Sequence, residues 1–267
     1  MAASSQFDTW SAGESYNQYM GRWSRVVARK FLDWLAPPRN VDWLDVGCGT
    51  GALTGAALAS SAPKSMLSVD PSEDFLAHAR SAIPDPRVTF RVGDAQNLPV
   101  ASCSVDLVVS ALVLNFVPDQ QAALREMQRV LRPSGVLSFY VWDYPGGGVG
   151  FIDAFWKAAI EIDPKAAALD ESGRFLNCTR DGLLALCEAV GLEIATVDSI
   201  QAETEFASFD DFWRPFTLGA GPAPGYCKTL SENQRDALRE RLALRLGTAA
   251  PIVLPARAWA MKATLTK

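Results

Sequence analysis

The sequence predicts an α/β fold, a doubly wound parallel sheet covered by helices on both faces. Three observations carry that expectation. From Val41 to Trp142, short apolar runs alternate with stretches of helical periodicity. The first run, in VDWLDVGCGTGALT (41–54), ends on a loop of three glycines just behind an acid, Asp45. The second, in SMLSVDPS, ends on another acid, Asp70. Strand, helix and strand in this order build parallel pairs joined by right-handed crossovers.

Taken in order, Ser15 to Leu35 places Tyr16, Met20, Trp23, Val27, Phe31 and Trp34 at helical spacing. Gly21 divides that stretch into two helices, and Pro37-Pro38 stops it. Strand Val41–Val46, a helix through Leu58, strand Ser65–Val69, helix Ser72–Ser81 and strand Val88–Val92 follow. Next come strand Asp106–Leu112, helix Gln120–Leu131, the turn Arg132-Pro133-Ser134-Gly135 and strand Val136–Trp142. Beyond Trp142 the rhythm weakens. A loop carries Gly146-Gly147-Gly148, a candidate hinge, and leads into a helix rich in aromatics (Phe151, Phe155, Trp156). Thr179–Val190 reads as a helix capped by Thr179 and ended by Gly191. Leu192–Ile200 and Ile252–Thr264 close the sheet as strands. Between them lie FDDFWRPF and a helix, Ser231–Leu246, whose Arg235, Arg239, Arg241 and Arg245 spread around it as a solvated face.

Composition excludes several function classes. At 267 residues, 49% of them apolar, the chain buries a full core. A net charge of −5 argues against a duplex-DNA binder, which needs clustered Lys and Arg. The five cysteines (Cys48, Cys103, Cys178, Cys187, Cys227) form no C-x-x-C pair, and the single histidine, His78, has no companion, so no metal site is expected. MAASSQFDTWSAGES does not read as a signal peptide, and no apolar run is long enough to cross a bilayer. The expected setting is soluble, reducing and cytoplasmic, with a small-molecule partner and neither nucleic acid nor membrane. A monomer or a homodimer is expected.

An open doubly wound sheet binds its ligand beyond the carboxyl ends of its strands, where strand order reverses. Gly47, Gly49 and Gly51 lie there and let a ligand rest against the main chain. From the end of the second strand, Asp70 is placed to accept hydrogen bonds from two ribose hydroxyls. So far this means a nucleoside-containing cofactor. NAD competes, because Gly47-x-Gly49-x-x-Ala52 with Asp70 downstream satisfies the loose dinucleotide fingerprint. VGDAQNLP (92–99) separates the two. Asp94 can accept from an adenine amino group and the Ala95 amide can donate to a ring nitrogen, while the Tyr and Lys pair of a dehydrogenase is not found.

With LDVGCGTG, VDPSEDFLAHAR, VGDAQNLPV, DLVVSALVLNFVPD and LREMQRVLRPSGVL in that order, the chain resembles the class I S-adenosylmethionine-dependent methyltransferases over residues 41–142. The flanks QYMGRWSRVVARKFLDWL, FDDFWRPFTLGAGPAPGY and LPARAWAM look like a bacterial subgroup acting on small molecules. The resemblance implies a Rossmann-like sheet of seven strands, the last antiparallel, with helical lid insertions. It implies a helical cap over 1–40, the S-adenosylmethionine-binding core over 41–145 and a lid insertion over 146–178. A helix and strand completing the core (179–202), a second lid insertion (203–250) and a closing strand (251–267) follow.

It also implies roles. Gly47, Gly49 and Gly51 would lie under the methionine part of the cofactor, with Cys48 a small filler among them. Asp70, followed by Pro71, would hold the ribose; Asp94 and Ala95 the adenine. Asp45 matches the acid that helps fix the cofactor's amino end, or else only tethers the loop. The cofactor's carboxylate needs a cation, for which Arg22 is the candidate. Tyr16, Tyr19 and Trp23 are expected in core packing rather than on the cofactor. Two departures stand out: Ser134 replaces a glycine usual in its turn, and Asn115 stands where many relatives carry His. Asn115 and Tyr144 are therefore the catalytic candidates, with Asp143 beside them as an alternative base, and Trp142, Tyr144 and Trp213 are expected to line the acceptor site. Two further readings stay open: a catalytically inactive adenosyl-binding interaction module, and an NAD(P)-dependent oxidoreductase.

Overall fold

The computed structural model describes residues 17–192, 195–219 and 221–265. A π-helical turn, Asn17–Gly21, leads into α1 (Arg22–Leu35), so the expected break at Gly21 is a change of helix type. Tyr16 lies outside the described residues. Along α1 the stripe Trp23, Val27, Phe31 and Leu35 is buried, as its spacing requires. The helix ends before Ala36, which takes a left-handed φ of 47° ahead of the two prolines.

Then β1 (Asp42–Val46), α2 (Ala52–Ser60), β2 (Ser65–Asp70), α3 (Glu73–Ala82), β3 (Val88–Val92), β4 (Val105–Ala111), α4 (Gln120–Val130) and β5 (Leu131–Trp142) alternate as expected. β5 begins earlier than anticipated. Its pairing with β4 jumps from Val105↔Leu131 to Leu107↔Val136, so the expected turn Arg132–Gly135 is a bulge within the strand. Ser134 sits there at φ 65°, a left-handed value that explains why glycine suits the position. The chain continues through α5 (Gly150–Ile162), α6 (Glu171–Arg174), α7 (Arg180–Glu188), β6 (Ala195–Phe206), α8 (Phe209–Trp213), α9 (Pro222–Thr229), α10 (Glu232–Leu246) and β7 (Ile252–Thr264). Local chemistry sets the helix starts: Ser72, Asp119, Thr179 and Ser231 each accept a hydrogen bond from an amide of the first turn.

The seven strands run in the order β3-β2-β1-β4-β5-β7-β6, with the last strand antiparallel. β1 pairs in parallel with both β2 and β4, so strand order reverses at β1, where the glycine loop leaves the sheet.

The chain divides into two compact units. The sheet unit comprises Trp23–Val141, Asn177–Ile200 and the chain from Ala258. The aromatic unit comprises the described residues up to Arg22, with Trp142–Leu176 and Gln201–Arg257. Aromatic rings make the second core: Phe155 stacks on Phe216 at 4.5 Å, and Tyr19 meets Phe151 and Phe216 edge-on at 5.7 and 5.6 Å. Tyr19 is thus core, as expected. On α10, Arg239, Arg241 and Arg245 are exposed, as a solvated face requires, whereas Arg235 is half-buried.

Candidate functional site

In the sheet unit, the chain leaves β1 through three glycines with φ of 73°, 54° and 86°. They are needed for different reasons. A Cβ on Gly47 would stand 2.6 Å from the Val113 methyls, and one on Gly51 would stand 2.5 Å from Ile83 Cδ1. A Cβ on Gly49 would meet nothing within 4 Å. Packing therefore claims the outer two glycines, while the middle one offers bare backbone to open space. The loop is anchored to β2, because Gly47 and Cys48 N–H donate to Val69 O (2.8 and 3.0 Å) and Gly49 N–H donates to Asp70 Oδ2 (2.9 Å).

Asp70 also accepts from Ser72 N–H at Oδ1 (2.9 Å), so each carboxylate oxygen holds one amide and keeps a further lone pair. Burial raises its pKa above the usual carboxylate value. Pro71 is exposed beside it. Gly93 N–H donates to Asp70 O (3.1 Å), which ties the loop after β3 to the end of β2. On that loop Asp94 is exposed and turns back on itself, Oδ1 accepting from Gln96 N–H at 2.9 Å, while Ala95 is buried.

Asp45 is 0% exposed. Its Oδ2 accepts from Thr54 Oγ1 at 2.7 Å, and its Oδ1 has no hydrogen-bond partner among the described residues. Burial first, and then the charge of Asp70, push its pKa to about 7 against the pull of Thr54. Cys48 is buried, and burial with the two nearby acids drives its thiol pKa up, away from a reactive thiolate.

A short 3₁₀ turn after β4, Leu114–Phe116, carries Asn115, which is 6% exposed with neither amide atom hydrogen-bonded among the described residues. An unsatisfied buried polar group costs about 1–3 kcal/mol, and such groups concentrate where a ligand completes them.

The aromatic unit treats its charges differently. Arg22, the expected partner of a cofactor carboxylate, pairs with Asp211 at 3.0 Å and lies 4.6 Å from the Phe206 ring centroid. Asp143 is corrected as a candidate base: its carboxylate is buried against the Arg257 guanidinium and also accepts from Gly146 N–H at 3.0 Å. The glycine run is accounted for by the same feature. A Cβ on Gly148 would lie 2.8 Å from Asp143 Cβ, and Gly148 N–H donates to Asp143 O at 2.8 Å. Close packing against an ion pair, rather than a hinge, explains those residues. Trp142 is buried with its indole N–H unpartnered, Tyr144 packs 5.3 Å from Phe175, and Trp213 is buried 6.4 Å from Phe216.

One group was not foreseen. Glu171 is 2% exposed, accepts from the Trp156 indole N–H and forms no ion pair among the described residues. Burial raises its pKa to about 8. Nothing in ALDESGR marks it, since a single acid in a short segment has no periodicity to betray its burial. The hydroxyl partners of Asp45, Thr54 and Ser68, were missed for a related reason: each reads as an ordinary small residue. Among the described residues no cluster of His, Cys, Asp and Glu fits a metal ion, and no helix is long and apolar enough to cross a membrane.

Comparison with known proteins agrees with this geometry. Residues 44–139 match the family described as a methyltransferase domain. The chain is 31% identical to the human thiol S-methyltransferase TMT1A over 64% of its own length and 68% of that protein. It is 29% identical to the arsenite methyltransferase of Halobacterium salinarum over 65% of its length, spanning 42% of that protein. Among solved structures, a Bacillus halodurans protein described as a methyltransferase superposes with a TM-score of 0.60 at 18% identity, covering 90% of this chain and 99% of that one.

Proposed function

Because the chain belongs to the class I S-adenosylmethionine-dependent methyltransferases, we propose that it methylates a small-molecule acceptor whose reacting atom is already electron-rich. The observation that carries the reading is the rim of the sheet unit: an open backbone at Gly49, a carboxylate bound to that same backbone at Asp70, and buried polar atoms left unsatisfied at Asp45 and Asn115. A nucleoside cofactor with a charged amino-acid tail meets each of these needs.

When bound, S-adenosylmethionine supplies an electrophilic methyl on sulfur with a neutral thioether as leaving group. The glycine loop, with Gly47, Cys48, Gly49 and Gly51, supports the methionine part, and Asp45 receives the amino end. Arg22, paired with Asp211 in its own unit, stays the candidate cation for the carboxylate. Asp70, ahead of Pro71, uses its remaining lone pairs on the ribose hydroxyls, while Asp94 and the Ala95 amide take the adenine. Asn115 orients the acceptor through its amide and removes no proton, because an amide cannot do so at useful pH. Tyr144, Trp142 and Trp213 remain the acceptor-side candidates of the aromatic unit, to be tested by substitution. Orientation of this kind supplies roughly 7–11 kcal/mol of a displacement barrier. An acceptor already carrying its lone pair (a thiolate, an amine, a carboxylate, an ionised phenol or a stabilised carbanion) needs no further base. The five free cysteines fit a reducing, cytoplasmic setting.

Calorimetry with S-adenosylhomocysteine and with NADH, followed by an acceptor screen reading homocysteine release, tests the reading. Binding of the first ligand and turnover on an acceptor are expected. Binding of NADH alone replaces the reading with an oxidoreductase; cofactor binding without turnover on any acceptor leaves a binding module.

A further inference from the structure

We propose that Asp45, at the head of a hydrogen-bonded chain through Thr54 to Ser68, carries a proton in the free protein, and that docking of the cofactor's cationic amino end expels it. The inference rests on the cofactor reading above and assigns to that site a coupled proton release.

Geometry supports it first. Asp45 and Ser68 are side by side in the β1–β2 register, and Thr54 reaches them from α2. Thr54 Oγ1 lies 2.7 Å from Asp45 Oδ2 and 2.9 Å from Ser68 Oγ, and in the second contact either atom can donate. All three side chains are 0% exposed. The chain of hydrogen bonds therefore runs in either direction. With Asp45 ionised, Ser68 donates to Thr54 and Thr54 to the carboxylate. With Asp45 protonated, its O–H donates to Thr54, and Thr54 donates to Ser68.

The surroundings decide between the two. Asp70 faces Asp45 from β2 and Cys48 from the loop; Thr54 is its neighbour on α2 and Val109 its register partner on β4, where Ser110 is committed to Val46 O. No Lys or Arg pairs with it among the described residues. An anion there would have donors from Thr54 alone, an Oδ1 left unsatisfied among the described residues and a like charge close by, which is the costly way to bury a carboxylate. A pKa of about 7 agrees with this arrangement. An arriving ammonium changes the balance, since its N–H donors satisfy Oδ1 and its charge offsets Asp70. The Asp45 O–H bond then breaks, the electron pair stays on the carboxylate, and one proton leaves to the buffer.

Titration calorimetry of the whole chain with S-adenosylhomocysteine tests this, run from pH 6 to 8.5 in two buffers of unlike ionisation enthalpy. For a group titrating near 7, close to one proton is released at pH 6 and almost none at 8.5, and Kd tightens about tenfold between pH 6 and 8 before levelling. Asp45→Asn binds with a flat pH profile and no such release. Thr54→Val carries the release to higher pH, because the hydrogen bond favouring the ion is gone, and Thr54→Ser restores the original profile. A wild-type protein that binds at pH 6 with no proton released overturns the inference, as does a release that survives in Asp45→Asn. Failure to bind at any pH overturns the cofactor reading instead.

Discussion

The two units bury their acids by opposite means. In the sheet unit, Asp45 and Asp70 are held by hydroxyls and amides and keep unused acceptor sites. In the aromatic unit, the buried Asp143 is neutralised by Arg257, and the half-exposed Asp211 receives Arg22. An acid saturated by a guanidinium is committed to the fold, whereas one held by neutral donors stays able to receive a charged ligand. Glu171 differs from both, a buried acid with an indole for a partner and no ion pair among the described residues.

That contrast is open to direct attack. Arg257→Ala strands a buried Asp143 and is expected to cost roughly 4 kcal/mol in urea unfolding, with most of it recovered when Asp143→Leu is added to Arg257→Met. A loss below about 1 kcal/mol removes the structural role given to the pair. Glu171 comes next. Its pKa is near 4.5 when unfolded and about 8 when folded, so the stability it contributes is complete below pH 4.5 and disappears as pH rises through 8. Wild-type protein should lose roughly 4 kcal/mol between pH 5 and 9 that Glu171→Gln does not lose, read as the difference between their urea midpoints at each pH.

Smaller effects sharpen the comparison at the glycine loop. Gly51→Ala drives a methyl into Ile83 and should destabilise by roughly 2 kcal/mol, whereas Gly49→Ala meets open space and should cost only about 1 kcal/mol for its positive φ. The order reverses for S-adenosylhomocysteine, whose affinity should fall at least tenfold in Gly49→Ala and far less in the folded fraction of Gly51→Ala. Equal affinity losses would deny the middle glycine its contact. Smallest is Asn115→Leu. Relieving two unsatisfied buried amide atoms should raise stability by about 1 kcal/mol, while turnover falls and S-adenosylhomocysteine affinity holds. A destabilised variant would mean that Asn115 serves the fold.

Helix starts were legible at Ser72, Thr179 and Ser231, because a capping side chain answers amides only two or three residues away. The strand alternation and the left-handed glycine loop were legible for the same reason, since side-chain period and φ are local properties. What happens to Arg22 was not. Its guanidinium meets Asp211, 189 residues further along the chain, and no spacing rule connects the two. Nor was the difference between Asp143, Asp45 and Glu171, three acids alike on the page.

The residues themselves determined the order of elements, the loop at the sheet's switch point and the family to which these belong. Tertiary structure alone decided which acids are neutralised, which keep a proton and which polar atoms wait for a ligand. The physical reason is range. Helical and strand periods, caps and φ preferences act over a few residues, whereas burial and charge pairing depend on groups that only the folded chain brings together.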